Sequence, residues 1–235
     1  MNIRTHAAVL SVLSFGFCTL AYGAEKEANA PAPFPTASVH FEQNGTEGSS
    51  EVVFKAISDK DGLAELIVRS PEGRPVVTFK APDAATLGMR QFVFETPDMV
   101  EPKDINALKA AYPEGVYEFS GVTFSGTKLA GTYTLSHRVA PLATLATPGP
   151  AAENVPVKNV VLSWTAVEDA ASYIVKVDQP ELHVDFVVTG LPASLTAFPL
   201  PDGLLARGKQ YKVGIGTVTR EGNTSIVEST FTTEK

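Results

Sequence analysis

Leu205-Ala206-Arg207-Gly208-Lys209-Gln210-Tyr211-Lys212-Val213-Gly214-Ile215 holds a turn at Arg207-Gly208 and then alternates apolar with polar or small residues. In a strand, that period of two places Tyr211, Val213 and Ile215 on one face and Lys212 and Gly214 on the other. Upstream, Tyr173-Ile174-Val175-Lys176-Val177 repeats the pattern, with Tyr173, Val175 and Val177 on one side. Two such faces need an apolar filler between them. Leu162-Ser163-Trp164 supplies the chain's one tryptophan, a side chain able to bury on the order of 200 Å². Trp164, Tyr173 and Tyr211 are therefore expected in a core rather than at a site.

With Gly222-Asn223-Thr224-Ser225 and the closing Ser229-Thr230-Phe231-Thr232-Thr233, the order and spacing over residues 154–233 resemble a fibronectin type III domain. The Leu205/Gly208/Tyr211 cluster beside the lone Trp carries the resemblance. It implies a non-catalytic β-sandwich that spaces or binds partners, with no universal ligand site. Tyr211 fits the tyrosine corner, in which the phenol bonds back to the chain a few residues upstream. One feature departs from a plain module: Gly214 and Gly216 fall on the outward face of a central strand, where glycine weakens the strand. That bare backbone strip marks either a local bulge or harmless drift, or a place where the first domain or a partner chain approaches closely.

Upstream, strand-like runs at residues 38–43, 52–58, 63–69, 76–80, 91–96, 116–124 and 129–139 are separated by turn signals such as Ser58-Asp59-Lys60-Asp61-Gly62 and Pro71-Glu72-Gly73. A single helix is predicted over 102–112. Pro102 suits its first turn, Ile105, Leu108 and Tyr112 form its stripe, and Pro113 stops it. The expected fold class is all-β: two tandem immunoglobulin-like β-sandwiches, the second of fibronectin type III type, with one short helix in the first. Pro113-Glu114-Gly115-Val116-Tyr117 faintly echoes the glycine and tyrosine that precede the Tyr211 strand, at a different spacing.

The 235 residues carry 19 Lys and Arg against 26 Asp and Glu, a net charge of −7. That balance argues against nucleic acid as a partner, which calls for a basic stripe. Residues 1–23 read as a signal peptide: one cation at Arg4, an apolar run from Ala7 to Ala21, and small residues at the −3 and −1 positions before cleavage after Gly23. The run is too short for a comfortable membrane span of about 20 residues. Cleavage removes Cys18, the only cysteine, and with it any disulfide or thiolate chemistry. The mature chain then divides into an Ala/Pro-rich leader at 24–36, a sandwich at 37–144, a Pro-rich linker at 145–153 and the type III domain at 154–235.

Motifs for nucleophilic, phosphate-binding or zinc chemistry are missing. Of the mature histidines, His40, His137 and His183, the first two invite comparison as a metal pair, but strand parity places His40 outward with Glu42 and His137 inward. Asp59, Asp61 and Glu65 form only a fragment of a calcium loop and read as a hairpin turn. Glu168 and Asp169 are too close together to flank a glycosidic bond. Tyr112 and Tyr133 are the remaining aromatic platforms for a sugar, more simply read as packing. Asn44-Gly45-Thr46 and Asn223-Thr224-Ser225 are sequons, meaningful only in a eukaryotic secretory route. No catalytic, cofactor or metal residue is assigned. The expected protein is an exported, periplasmic or secreted, non-catalytic binding or scaffold protein whose partner is a protein or cell-envelope component. The alternatives are a carbohydrate-binding module, a periplasmic metal-binding protein or an unrecognised hydrolase.

Overall fold

A computed structural model describes residues 30–83 and 88–235. The expected signal peptide at 1–23 and the leader as far as residue 29 lie outside the described residues. The first sandwich is built from β1 (Ala32–Pro33), β2 (Thr36–Asn44), β3 (Ser49–Ile57), β4 (Leu63–Arg69), β5 (Pro75–Lys80), β6 (Gln91–Glu95), β7 (Gly115–Thr123) and β8 (Lys128–Leu135), with α1 (Pro102–Ala111) between β6 and β7. The second comprises β9 (Leu145–Thr147), β10 (Ala152–Val155), β11 (Val161–Trp164), β12 (Ser172–Gln179), β13 (Val184–Pro192), β14 (Ala197–Pro199), β15 (Gln210–Val218) and β16 (Thr224–Thr233).

Both sandwiches have the same wiring. In the first, β2-β3-β6 opposes β1-β8-β7-β4-β5; in the second, β9-β11-β14 opposes β13-β12-β15-β16, with β10 added to β16. Each therefore sets three strands against four and ends with a short strand running parallel to the last one, β1 on β8 and β10 on β16. The two differ in the order of their opening pair, because β1 precedes β2 whereas β10 follows β9. This is a fibronectin type III-like arrangement in both halves. The faint echo around Tyr117 is thus a structural correspondence: its hydroxyl donates to the Pro113 carbonyl at 3.0 Å, while the Tyr211 hydroxyl accepts from the Ala206 amide at 2.8 Å. Burial pushes the Tyr117 phenol up to about 12, with Arg74 opposing.

Alternation decides the cores. Tyr173, Val175 and Val177 meet Tyr211, Val213 and Ile215 around Trp164, which is 4% exposed and packs edge-on against Tyr173 at 5.4 Å. Val39, Phe41, Val52, Phe54, Leu66, Tyr117 and Phe119 fill the first sandwich, with Leu108 of α1 closing it.

Two stretches read from composition as unstructured are part of the fold. The last residues of the expected leader form β1, and Phe34 is buried against Phe119. The expected linker at 145–153 holds β9 and the first half of β10. Its prolines and glycine, Pro148-Gly149-Pro150, carry the chain from one sheet to the other, so that Leu145 and Val155 at either end are both buried. Trp164→Ala should lower unfolding free energy by about 3–5 kcal/mol, and Tyr211→Phe by about 1 kcal/mol through the orphaned Ala206 amide; urea unfolding followed by circular dichroism measures both.

Candidate functional site

The sandwiches are joined edge to edge. The first residues of β16 pair in parallel with the end of β2, Thr224 with Glu42, Ser225 with Gln43 and Ile226 with Asn44. The sheets β13-β12-β15-β16 and β2-β3-β6 thereby become one sheet, eight strands with β10. Polar side chains complete the seam. Asn223, 1% exposed, accepts from the Phe41 amide at 2.9 Å and donates to the carbonyls of Ser136 and Arg138 at 2.9 and 2.7 Å. Ser225 donates to the Ala140 carbonyl at 2.7 Å, and Tyr133 to the Glu221 carbonyl at 3.2 Å. Thr46 bonds both backbone groups of Glu228.

Two glycines make room for this contact. At Gly45 a Cβ would lie 2.2 Å from Leu142 of the connecting segment. At Gly222, whose φ is +87°, it would lie 3.0 Å from the Tyr133 hydroxyl. The close approach expected at Gly214 and Gly216 is found here instead. Around those two positions the nearest atoms belong to Ile174, Lys176, Ile226 and Glu228 on the flanking strands, so the strip is covered by its own sheet.

Where the seam crosses the outward face, Glu42, Glu47, Glu51, Asp98, Lys176 and Glu228 line a groove of about 140 Å³. Glu42 and Glu51 stand directly opposite each other across β2 and β3, a pairing of like charges that destabilises when both ionise. Burial, followed by Glu42, Asp98 and Glu95, pushes the Glu51 carboxyl from 4.5 up to about 7. Glu228 behaves oppositely. Burial would raise it, but hydrogen bonds from Asn44 at 2.9 Å and Lys212 at 3.1 Å outweigh that and hold it below the ordinary carboxylate range. The groove offers negative potential and acceptor oxygens, with one carboxyl that changes charge near neutrality.

The residues singled out from sequence do not gather here, apart from the two sequons, His40 and Tyr133. His40 bonds Glu42 at 2.7 Å on the groove's face, whereas His137 packs on Phe41 at 5.5 Å and bonds the Tyr112 carbonyl at 2.8 Å. Because His40 and Phe41 are consecutive in β2, the two imidazoles lie on opposite faces, as parity predicts. His183 is an exposed residue at φ +53°. Glu65 pairs with Lys80 at 3.0 Å, and Asp59 caps its own turn at Lys60. Among the described residues, no group of three or more His, Cys, Asp or Glu is arranged to hold a metal ion. Tyr112 packs on Phe54 at 5.7 Å, and Tyr133 turns toward the seam. The large apolar side chains that are exposed among the described residues are aliphatic: valines, leucines and a methionine.

Asn44 and Asn223 are the positions whose importance sequence reasoning missed. Beyond their place in sequons nothing local marked them: Asn223 bonds backbone groups 85 to 182 residues away, and Asn44, at the end of β2, bonds the Glu228 carboxylate 184 residues away. Both sequon amides are engaged in the seam, Asn223 fully enclosed and Asn44 donating to Glu228.

No protein-family model matches the chain, and no curated protein matches it. Among solved structures, the fibronectin(III)-like modules of CbhA from Clostridium thermocellum are 11% identical, with 85% of this chain and 91% of that one covered and a TM-score of 0.34. A segment of two fibronectin type III domains from chicken tenascin is 17% identical, over 84% of this chain and 98% of that one, with a TM-score of 0.32. Chicken CNTN1 FN1–FN3 domains are 12% identical, over 87% and 65%, with a TM-score of 0.34. The type III-like assignment made above rests on strand order and pairing.

Asn223→Ala leaves the Phe41 amide and two carbonyls without partners at the seam and should cost about 2–4 kcal/mol, with the first sandwich's unfolding separating from the second's in a calorimetric scan. The Glu51 contribution has a definite sign. Its raised pKa favours the folded chain fully below pH 4.5 and loses that advantage as pH rises through about 7. Stability should therefore fall between pH 5 and pH 8 by about 1 kcal/mol, and Glu51→Gln should flatten that slope in urea titrations.

Proposed function

We propose that this chain is an exported, non-catalytic binding or scaffold protein of the cell envelope, carried out of the cytoplasm by residues 1–23. The observation that carries this reading is the seam. Tandem sandwiches on a free linker move independently, whereas a shared sheet with buried side-chain hydrogen bonds holds two modules as one rigid body. A scaffold gains from such rigidity, because partners bound to its two halves keep a fixed spacing. The groove at the seam adds a negatively charged surface, suited to a protein or envelope component that presents cationic groups. No helix among the described residues is long and apolar enough to cross a membrane.

The test uses the full chain with a C-terminal tag in a bacterial host. Intact mass of the recovered protein should place the mature N-terminus at Ala24, in the periplasmic or culture fraction. Cross-linking to envelope extract should then give adducts through the outward face of the shared sheet, and a Glu42→Lys, Asp98→Lys double variant should lose most of them. A chain retained uncleaved in the cytoplasm would overturn the export reading. Adducts indifferent to charge reversal would move the binding surface elsewhere.

A further inference from the structure

Asn44-Gly45 is the chain's single Asn-Gly dipeptide, and both halves of it are held by the seam. Its chemistry is specific. A Gly amide nitrogen carries no side chain to obstruct it, so it can attack the Cγ of the preceding Asn carboxamide. The new N–Cγ bond closes a succinimide, the Cγ–Nδ2 bond breaks, and ammonia leaves with the proton from the Gly amide. Water then opens the ring at one of its two carbonyls, giving either Asp or an isoaspartyl link that adds a methylene to the backbone. No oxidant, metal or enzyme enters the balance.

In the closed protein neither reactant is available. The Gly45 amide donates to the Ile226 carbonyl of β16 at 2.8 Å, which engages its N–H and holds it toward the seam. The Asn44 carboxamide is pinned from both ends: Nδ2 donates to Glu228 Oε2 at 2.9 Å, and Oδ1 accepts from the amides of Thr46 at 3.0 Å and Glu47 at 3.2 Å. The Leu142 side chain occupies the space beside Gly45, so a swing of the local backbone has to displace it. Two of these restraints, Ile226 and Glu228, belong to the second sandwich, and the reaction requires them to withdraw.

We propose that Asn44 is a built-in modification site, gated by the junction between the sandwiches: deamidation occurs when β2 and β16 part, and its product prevents them from closing again. An Asp at position 44 would set a carboxylate against the Glu228 carboxylate, removing a donor that helps hold Glu228 ionised. An isoaspartyl link would shift the Ile226–Asn44 register as well. The junction thus acts as a one-way latch that records how long it has been open.

The experiment incubates the mature chain at mildly alkaline pH and maps Asp and isoaspartate at position 44 by peptide mass spectrometry and isoaspartyl methyltransferase labelling. Asn223→Ala and, should that variant fold poorly, Ser225→Ala each remove seam bonds without touching Asn44, and should speed modification roughly tenfold or more. Asp202-Gly203 closes the same ring with loss of water, from its protonated carboxyl, so parallel samples held at mildly acidic pH make it the internal control within the second sandwich; its rate should be the same in every variant unless the whole domain unfolds. Asn44→Asp should lower the melting temperature and reproduce the separated unfolding of the sandwiches. Equal rates at Asn44 in wild type and both seam variants would overturn the gating, as would acceleration at positions 44 and 202 in step. An Asn44→Asp chain that melts like the wild type would overturn the latch.

Discussion

The bonds of one buried carboxamide govern this architecture. Asn223 stands at the mouth of the last strand and satisfies the Phe41 amide together with the Ser136 and Arg138 carbonyls. Those three groups belong to the first sandwich and the connecting segment; the Phe41 amide is buried at the seam and the two carbonyls are partly buried. A buried polar group without a partner costs more than a bond contributes, so the side chain is a condition for closure rather than an embellishment of it. Once it is in place, the parallel pairing of Thr224, Ser225 and Ile226 with β2 follows, and two edges that would otherwise stand open cover each other.

The division of β16 explains how one strand serves two sandwiches. Its first residues pair with β2, its last with β10, and between them Glu228 is held through the Thr46 hydroxyl. Along its outer edge, the strand therefore meets the first sandwich and then its own. The glycine that a protruding side chain would exclude, Gly45, and the one that turns the chain left-handed beneath Tyr133, Gly222, lie on either side of that seam. Acidic residues then collect on the outward face because strands from both halves bring their polar positions there, and burial first, their proximity second, makes Glu51 retain its proton toward neutral pH.

Much of the fold was legible from the residues alone. Each strand run named in the first half coincides with an observed strand to within a few residues, because turns at Gly62 and Gly73 and the helix between Pro102 and Pro113 punctuate the alternation. Parity placed His40 on the outward face of β2, since a period of two needs no tertiary information; His137 lies past the end of β8 at Leu135 and reaches Phe41 from the segment that follows. The reading failed where composition imitates disorder. Ala, Pro and Gly between 145 and 153 are what a strand needs to switch sheets, and short strands carry too few apolar positions to reveal themselves. At Gly214 and Gly216 the residues left a bulge or drift and a close approach both open, and side chains of the flanking strands fill the space that the glycines leave.

Local alternation, turn chemistry and the supply of large aromatic residues were enough to determine two β-sandwiches, their core tyrosines and the lone tryptophan, because those depend on which face each side chain takes. The union of the two halves was decided only in three dimensions. An asparagine before a strand reads as a turn residue, and nothing local distinguishes one that bonds to water from one that bonds to a carbonyl 85 positions earlier. Partner groups in the backbone leave no trace in residue identity, so the seam, the groove beside it and the roles of Asn44 and Asn223 emerge only when distant edges meet.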